Sequence, residues 1–503
     1  MTSLNDIIKA LSVDEQQRFI TYLEKKNKRH DSKNIQLFKL LAKQEQPSEV
    51  IYKSLYKSGN KNAYHALRKR LLSSLIDFIA NINLEEENST DMHIIKYILA
   101  SRTFLMHKQY GTAYKLLDKA EKLSLEHQLF PLLNEIYHTK IQYAYTLPEL
   151  DLDDLVSKFN INQKHLYTEE QLNIVYAKIR RTLARIKYKG EVINFQKLLN
   201  KTLEEHQISM HDSMSFKSLY QLMTIASISA LISKDYLEIE PFVINTYQSL
   251  IDHKQKSKQL YYHLHVLYMI SNTLFRNKKF ETSLEYLNLM KQEMVQNRKK
   301  YFNHFKLKYD LLFALNLNYS NQQQDAISYL EAVISKKHQD LEALLDIHLS
   351  LITFYFQNNQ YKEAYKLFSK FYHTDKWYIE KAGKEWTIKK SLIEILLHLE
   401  LGNIDLFESR LRSFRRSYST YLKSIGQKRV LTYLNLIEIY YRNPESVTSE
   451  AFIEKVELSF DWIEAKREDI FVMSFYAWLK SKMEKRHLYD TTLHLVQQHR
   501  LLN

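Results

Sequence analysis

The side chains here whose types and spacing could support chemistry are a few histidines, carboxylates and clustered basic residues. His487, Asp490 and His494 fall three and four residues apart. On a helix they share one face, and two imidazoles with a carboxylate can hold a divalent metal at that spacing. A polar outer face on a terminal helix gives the same pattern and is the preferred reading, so no metal site is assigned. His263 and His265 are two apart and diverge on a helix, and His211-Asp212 has no visible partners. There is no His-Glu-x-x-His pair and no Gly-x-Ser-x-Gly elbow. The glycines Gly59, Gly111, Gly190, Gly383, Gly402 and Gly426 are isolated, which excludes a phosphate-cradling loop. With 0 Cys there is no disulfide, thiolate-bound zinc or thiol nucleophile. The expectation is a non-enzymatic chain with no catalytic residue and no cofactor, in a reducing cytoplasm.

Charge points to a class of partner. The chain carries 72 basic and 58 acidic residues, a formal net charge of +14, which favours acidic proteins or nucleic acid. Basic residues cluster at Lys178, Arg181 and Arg185 followed by Lys187 and Lys189, and again at Arg410, Arg412, Arg415 and Arg416. A third cluster, Arg298, Lys299, Lys300, Lys306 and Lys308, is interleaved with Tyr301, Phe302 and Phe305. Such a mixture binds single strands by charge and stacking. In helical hairpins the same aromatics are needed for packing, and that reading is preferred. Near the start, Ser48 is placed to cap a helix Ser48–Lys57. A turn at Ser58-Gly59-Asn60 and a basic helix Lys61–Phe78 follow. Helix, glycine turn and basic helix resemble a helix-turn-helix, in which Lys61, His65, Arg68 and Lys69 would face DNA. Leu55 and His65 stand where that motif usually has Ala and Val or Ile. A helical cap spanning 1–85 explains the same residues and is preferred.

The elements that must position these groups are helices. Average usage would give about 60 Gly and Pro in a chain this long, against 6 and 5 here. Sheets need turns built on those residues, whereas helix interiors exclude both. The hydrophobic fraction of 45% suits a packed core, and no run approaches 18 apolar residues, so no membrane span is expected. No secretory signal is read at the N-terminus. Leu67, Leu71, Leu72, Leu75 and Phe78 line one helix face. Pro47, Pro131, Pro148, Pro241 and Pro444 mark expected boundaries.

One figure recurs along the chain. Tyr361, Ala364, Phe368 and Phe371 follow a polar turn, with Leu351, Ile352 and Tyr355 upstream. Tyr110, Ala113, Leu117 and Ala120 repeat it, as do Phe280, Ser283, Leu287 and Met290. Weaker copies begin at Tyr236, Gln323 and Ile404. The first residue opens the second helix of a hairpin. The small residue one turn later admits the first helix, and the larger ones meet the next hairpin. Gaps between these anchors are 126, 44, 43, 38 and 43 residues, so further units are expected near 151 and 193. The breaks Pro148–Asp154, Lys189–Glu191 and Arg442–Ser449 fit that spacing.

This figure resembles the tetratricopeptide repeat, with a period of about 42 in place of 34. The resemblance implies an all-α, right-handed superhelix of stacked antiparallel hairpins. About nine to ten of them would fill residues 92–503 behind the N-terminal cap. In that family the groove is lined by the first helix of each pair. Residues eight, twelve and fifteen before an anchor would face it, here Arg102, His265, Tyr268, Asn272, Lys308 and Lys389. Their polar and basic character suits an acidic protein or peptide. The expected function is a binding scaffold. The alternative is a nucleic-acid-binding regulator built on Lys61, His65, Arg68 and Lys69.

Overall fold

The computed structural model describes residues 3–11, 13–26, 33–43, 48–56, 61–86, 90–185, 197, 201–202, 204–206, 216–233, 236–251, 260–295, 301–336, 338, 340–459 and 468–497. Among them there is no strand, and no helix is long and apolar enough to cross a membrane. Two compact units divide the chain, Met1–Asn160 and Ile161–Asn503.

Unit 1 begins with α1 (Ser3–Ala10), α2 (Val13–Lys26), α3 (Lys33–Lys43), α4 (Ser48–Leu55) and α5 (Lys61–Glu86). These five close around Phe19, Phe38 and Phe78, with Leu23, Leu71 and Leu75 buried beside them. The expected stripe on α5 is therefore its core face. Next come α6 (Thr90–Met106), α7 (Tyr110–Glu126) and α8 (Phe130–Gln142), joined by Ile94, Ile98, Leu117 and Ile136. The turn 57–60 lies outside the described residues, as does the side chain of Ser48.

Along the chain α9 (Leu152–Ala184) follows, one helix of 33 residues. A hairpin anchored near 151 would have needed a turn inside this span. No Gly or Pro interrupts 152–184, and nothing there stops a helix from propagating. The expected break at Lys189–Glu191 lies outside the described residues.

Unit 2 continues with α10 (Phe216–Ser233), α11 (Glu240–Ile251), α12 (Leu260–Arg276), α13 (Phe280–Val295), α14 (Phe302–Tyr319) and α15 (Gln323–Ile334). Then follow α16 (Leu341–Gln357), α17 (Tyr361–Phe368), α18 (Asp375–Ala382), α19 (Lys384–Glu400), α20 (Ile404–Ser424) and α21 (Lys428–Arg442). After a 3-10 turn come α22 (Glu450–Ser459), α23 (Ile470–Glu484) and α24 (Leu488–Gln497). Consecutive helices pack as hairpins, and α12, α14 and α16 also pack against one another.

Helices start at Tyr110, Phe280, Gln323, Tyr361 and Ile404, the anchor positions. One turn further on, Ala113, Ser283, Ala326 and Ala364 are all 0% exposed. The missing bulk lets the two helices of a hairpin approach. At Ser283 the gap carries a bond, its hydroxyl donating to the Ser271 carbonyl at 2.8 Å. The copy beginning at Tyr236 is offset, its helix starting at Glu240.

The tight turns explain the rarity of glycine. Two residues before five of the anchors the backbone is left-handed, at Lys108, Lys278, Asn321, Asn359 and Gly402. In each, the next N–H reaches the carbonyl five residues back, as in Gln109 to Phe104 at 2.9 Å and Gln360 to Tyr355 at 2.8 Å. This helix ending usually recruits glycine. Here lysine and asparagine hold most of the positions against the steric cost of φ > 0.

Candidate binding face

The first helices of four consecutive hairpins, α12, α14, α16 and α19, turn one face toward the same space, and the C-terminal hairpin α23–α24 lies on it. Apolar packing holds part of the hairpin. Trp478 is 1% exposed, and its indole N–H donates to Glu400 at 2.5 Å. The Tyr489 hydroxyl donates to the Asn318 carbonyl at 2.5 Å, and Gln357 Nε2 donates to Ser474 Oγ at 3.1 Å.

Charge holds the hairpin's leading edge. Arg276 Nη1 meets Asp469 Oδ2 at 2.5 Å, and Arg429 Nη1 meets Glu468 Oε2 at 2.8 Å. Lys278 Nζ donates to the Glu468 carbonyl at 3.1 Å. Burial lowers the Lys278 ammonium to about 8, against the pull of Asp469 and Glu468. Asp469 also caps α23, accepting the Phe471 N–H at 2.9 Å. An acidic dipeptide of the chain itself thus sits among three basic side chains of unit 2.

Beside this latch is a cavity of about 240 Å³, closed on one side by Ile470 and Phe471. Tyr268, Asn272 and Lys389 line it, together with Arg276, Asp346, Leu349, Ser350, Thr353 and Trp386. Asp346, Leu349 and Thr353 occupy the same positions before Tyr361 that His265, Tyr268 and Asn272 occupy before Phe280. Burial raises the Tyr268 phenol to about 12, so it stays protonated. A smaller apolar cavity of about 130 Å³ lies between α19, α21 and α23, walled by Ile388, Leu392, Val430 and Phe475.

His265 and Lys308 lie in a neighbouring aromatic group rather than in this cavity. The His265 ring is 4.6 Å from Phe305 and 4.8 Å from Tyr261, centroid to centroid. Burial, then Lys308, His304 and Arg180, depress its pKa to about 3. Its Nε2 is buried with no hydrogen-bond partner among the described residues. Arg102 belongs to unit 1, where it pairs with Glu135.

On α5, Lys61, His65 and Lys69 are exposed. Arg68 folds back, its Nη1 3.3 Å from the Tyr64 hydroxyl. The arginine cluster on α20 is partly spent internally, Arg410 on Glu394 at 2.9 Å and Arg415 on Glu438 at 2.7 Å. Phe305 is 0% exposed, so it packs rather than stacks on a ligand. Arg298, Lys299 and Lys300 lie outside the described residues, as do Lys187 and Lys189. His487, Asp490 and His494 are exposed, and no group of three or more metal-ligating side chains forms among the described residues.

Sequence reasoning passed over Arg276, Trp386 and the Glu468-Asp469 pair. Arg276 was within reach, since it lies four residues before Phe280, one turn past Asn272 on the same face. No protein-family model, no curated protein and no solved structure matches this chain.

Proposed function

We propose that the chain is a non-enzymatic binding scaffold whose first-helix face in unit 2 takes an acidic segment of a partner protein. The observation that carries this reading is the seat of Glu468 and Asp469 on Arg276, Lys278 and Arg429. The face already holds acidic chain in the way a partner would present it. Lys389, which makes no ion pair among the described residues, and Lys308 extend the basic character beyond that seat. The shared helix starts and buried small residues support a tetratricopeptide-like, right-handed superhelix as the architecture. A cytoplasmic location fits the absence of cysteine. The test is fluorescence anisotropy with labelled peptides. Glu- and Asp-rich sequences should bind, sequences with Lys in their place should not, and Lys308→Glu with Lys389→Glu should abolish binding. Equal binding of both peptide classes would remove the reading.

One observation favours a second reading. Lys61, His65 and Lys69 recur every four residues along α5 and are exposed while Leu67 and Leu71 are buried. Such a basic row suits a nucleic-acid backbone. A salt-sensitive mobility shift with duplex DNA, lost in Lys61→Ala/Lys69→Ala, would support it, and no shift at low salt would remove it.

A further inference from the structure

The cavity under Phe471 concentrates polar groups that the protein leaves without partners. The Tyr268 hydroxyl, the Asn272 amide and the Ser350 hydroxyl line it and make no hydrogen bond among the described residues. Trp386 is 8% exposed, and its Nε1 is buried without an acceptor among the described residues. Arg276 Nε is likewise buried and unbonded. Among the described residues the Lys389 ammonium has no carboxylate partner, and it rests 4.6 Å from the centroid of the Phe471 ring. Buried polar atoms are paired in the great majority of cases, so Trp386 Nε1 and Arg276 Nε beside one space need an explanation.

The donor inventory says what would satisfy them. An indole N–H, an ammonium and a guanidinium Nε can only donate, while an amide and hydroxyls can do either. The surplus of donors, with a cation among them, calls for an acceptor-rich anion. Phosphate fits poorly. It favours a free guanidinium fork, and Arg276 Nη1 is committed to Asp469. Asp346 on the wall also opposes a second negative charge. A carboxylate has one charge, two acceptor oxygens and a planar shape.

We propose that this cavity is a carboxylate-binding pocket, with Lys389 supplying the charge and Trp386 Nε1, Asn272 and Ser350 directional hydrogen bonds. At about 240 Å³ it has room for more than a bare carboxylate. The carboxylate comes from a free small acid or from a partner's acidic side chain, and Phe471 closes over it. In its second form the proposal rests on the partner reading above, and in its first it stands apart from it.

Trp386 gives the readout. The full-length protein is titrated with four probes while tryptophan fluorescence is recorded. These are N-acetylalanine, N-acetylglutamic acid α-amide, N-acetylalaninamide as the neutral control, and inorganic phosphate. Either carboxylate should change the signal saturably, and the neutral amide and phosphate should not. Trp386→Phe should lose that change, and Lys389→Met should weaken binding at least tenfold. Lys389 makes no ion pair among the described residues, so its variant should keep the wild-type melting profile, which a circular-dichroism melt verifies. No carboxylate response up to tens of millimolar, equal binding of the neutral amide, tighter binding of phosphate, or unchanged binding in Lys389→Met each overturns the proposal. Carboxylate binding without acidic-peptide binding leaves the pocket and removes the partner reading. Peptide binding indifferent to Lys389→Met and Trp386→Phe does the reverse.

Discussion

Replacing Arg276 by Met should loosen the C-terminal hairpin without unfolding unit 2. The Arg276 side chain is 29% exposed and that of Asp469 20%, with nitrogen and oxygen 2.5 Å apart. Removing one member of a fully buried pair costs about 3–5 kcal/mol, because the other charge is left stranded. Exposed pairs are worth about 0–1 kcal/mol. This pair lies between those limits, and partial solvent access sets the loss at about 2 kcal/mol. Met keeps most of the apolar stem, so packing against α12 changes little. A loss of about 2 kcal/mol in local stability is roughly a 30-fold rise in opening, since about 1.4 kcal/mol is tenfold. Amide hydrogen exchange of α23, followed by mass spectrometry, measures that opening. Exchange in 470–484 should accelerate by about that factor, with α12, α14 and α16 close to wild type. Acceleration below twofold in α23 would refute the latch. Equal acceleration across unit 2 would show that Arg276 supports the whole core instead.

Three further outcomes follow from the geometry. Lys108 is left-handed at φ 57 on the turn between α6 and α7, so Lys108→Gly should raise stability by about 1 kcal/mol in urea denaturation. Ala326 is 0% exposed between α14 and α15, so Ala326→Leu should destabilise by about 1–3 kcal/mol through overpacking. His265 titrates at about 3 in the folded chain, against an ordinary 6.5. Its contribution is complete above pH 6.5 and is lost as pH falls toward 3, because only the unfolded chain takes up the proton there. At pH 5 that loss is about 2 kcal/mol relative to pH 7, and His265→Phe should flatten the dependence in denaturation at the two pH values.

How much was legible in the sequence differs from element to element. The second helices at Tyr110, Phe280, Gln323 and Tyr361 begin at their anchors because an aromatic or polar residue followed by Ala or Ser one turn later is a local signal, and local packing enforces it. The turns before them were harder to identify, because Lys108, Asn321 and Asn359 do the work usually given to glycine. The single span of α9 was missed because a regular spacing was extended through a stretch containing no residue that stops a helix. The cover over the first-helix face was out of reach. Periodicity says which side of a helix is apolar, but not which distant element will cover it. Ile470, Phe471, Phe475 and Trp478 carried a partial signal, apolar residues spread around α23 beyond what one packed face requires. Of the groove residues, Tyr268 and Asn272 on α12 and Lys389 on α19 line one cavity. His265 and Lys308, fifteen residues before their anchors as Lys389 is, lie in the aromatic group instead, and Arg102 sits in unit 1, paired with Glu135.

Carbodiimide cross-linking tests the central claim most directly, because it joins a bound carboxylate to the amine beside it. The full-length protein would be mixed with a Glu-rich peptide, cross-linked without a spacer, and mapped by mass spectrometry. The account predicts adducts at Lys389 and Lys308 that an excess of unlabelled peptide suppresses. Adducts confined to lysines elsewhere, such as Lys61 and Lys69 on α5, would contradict it.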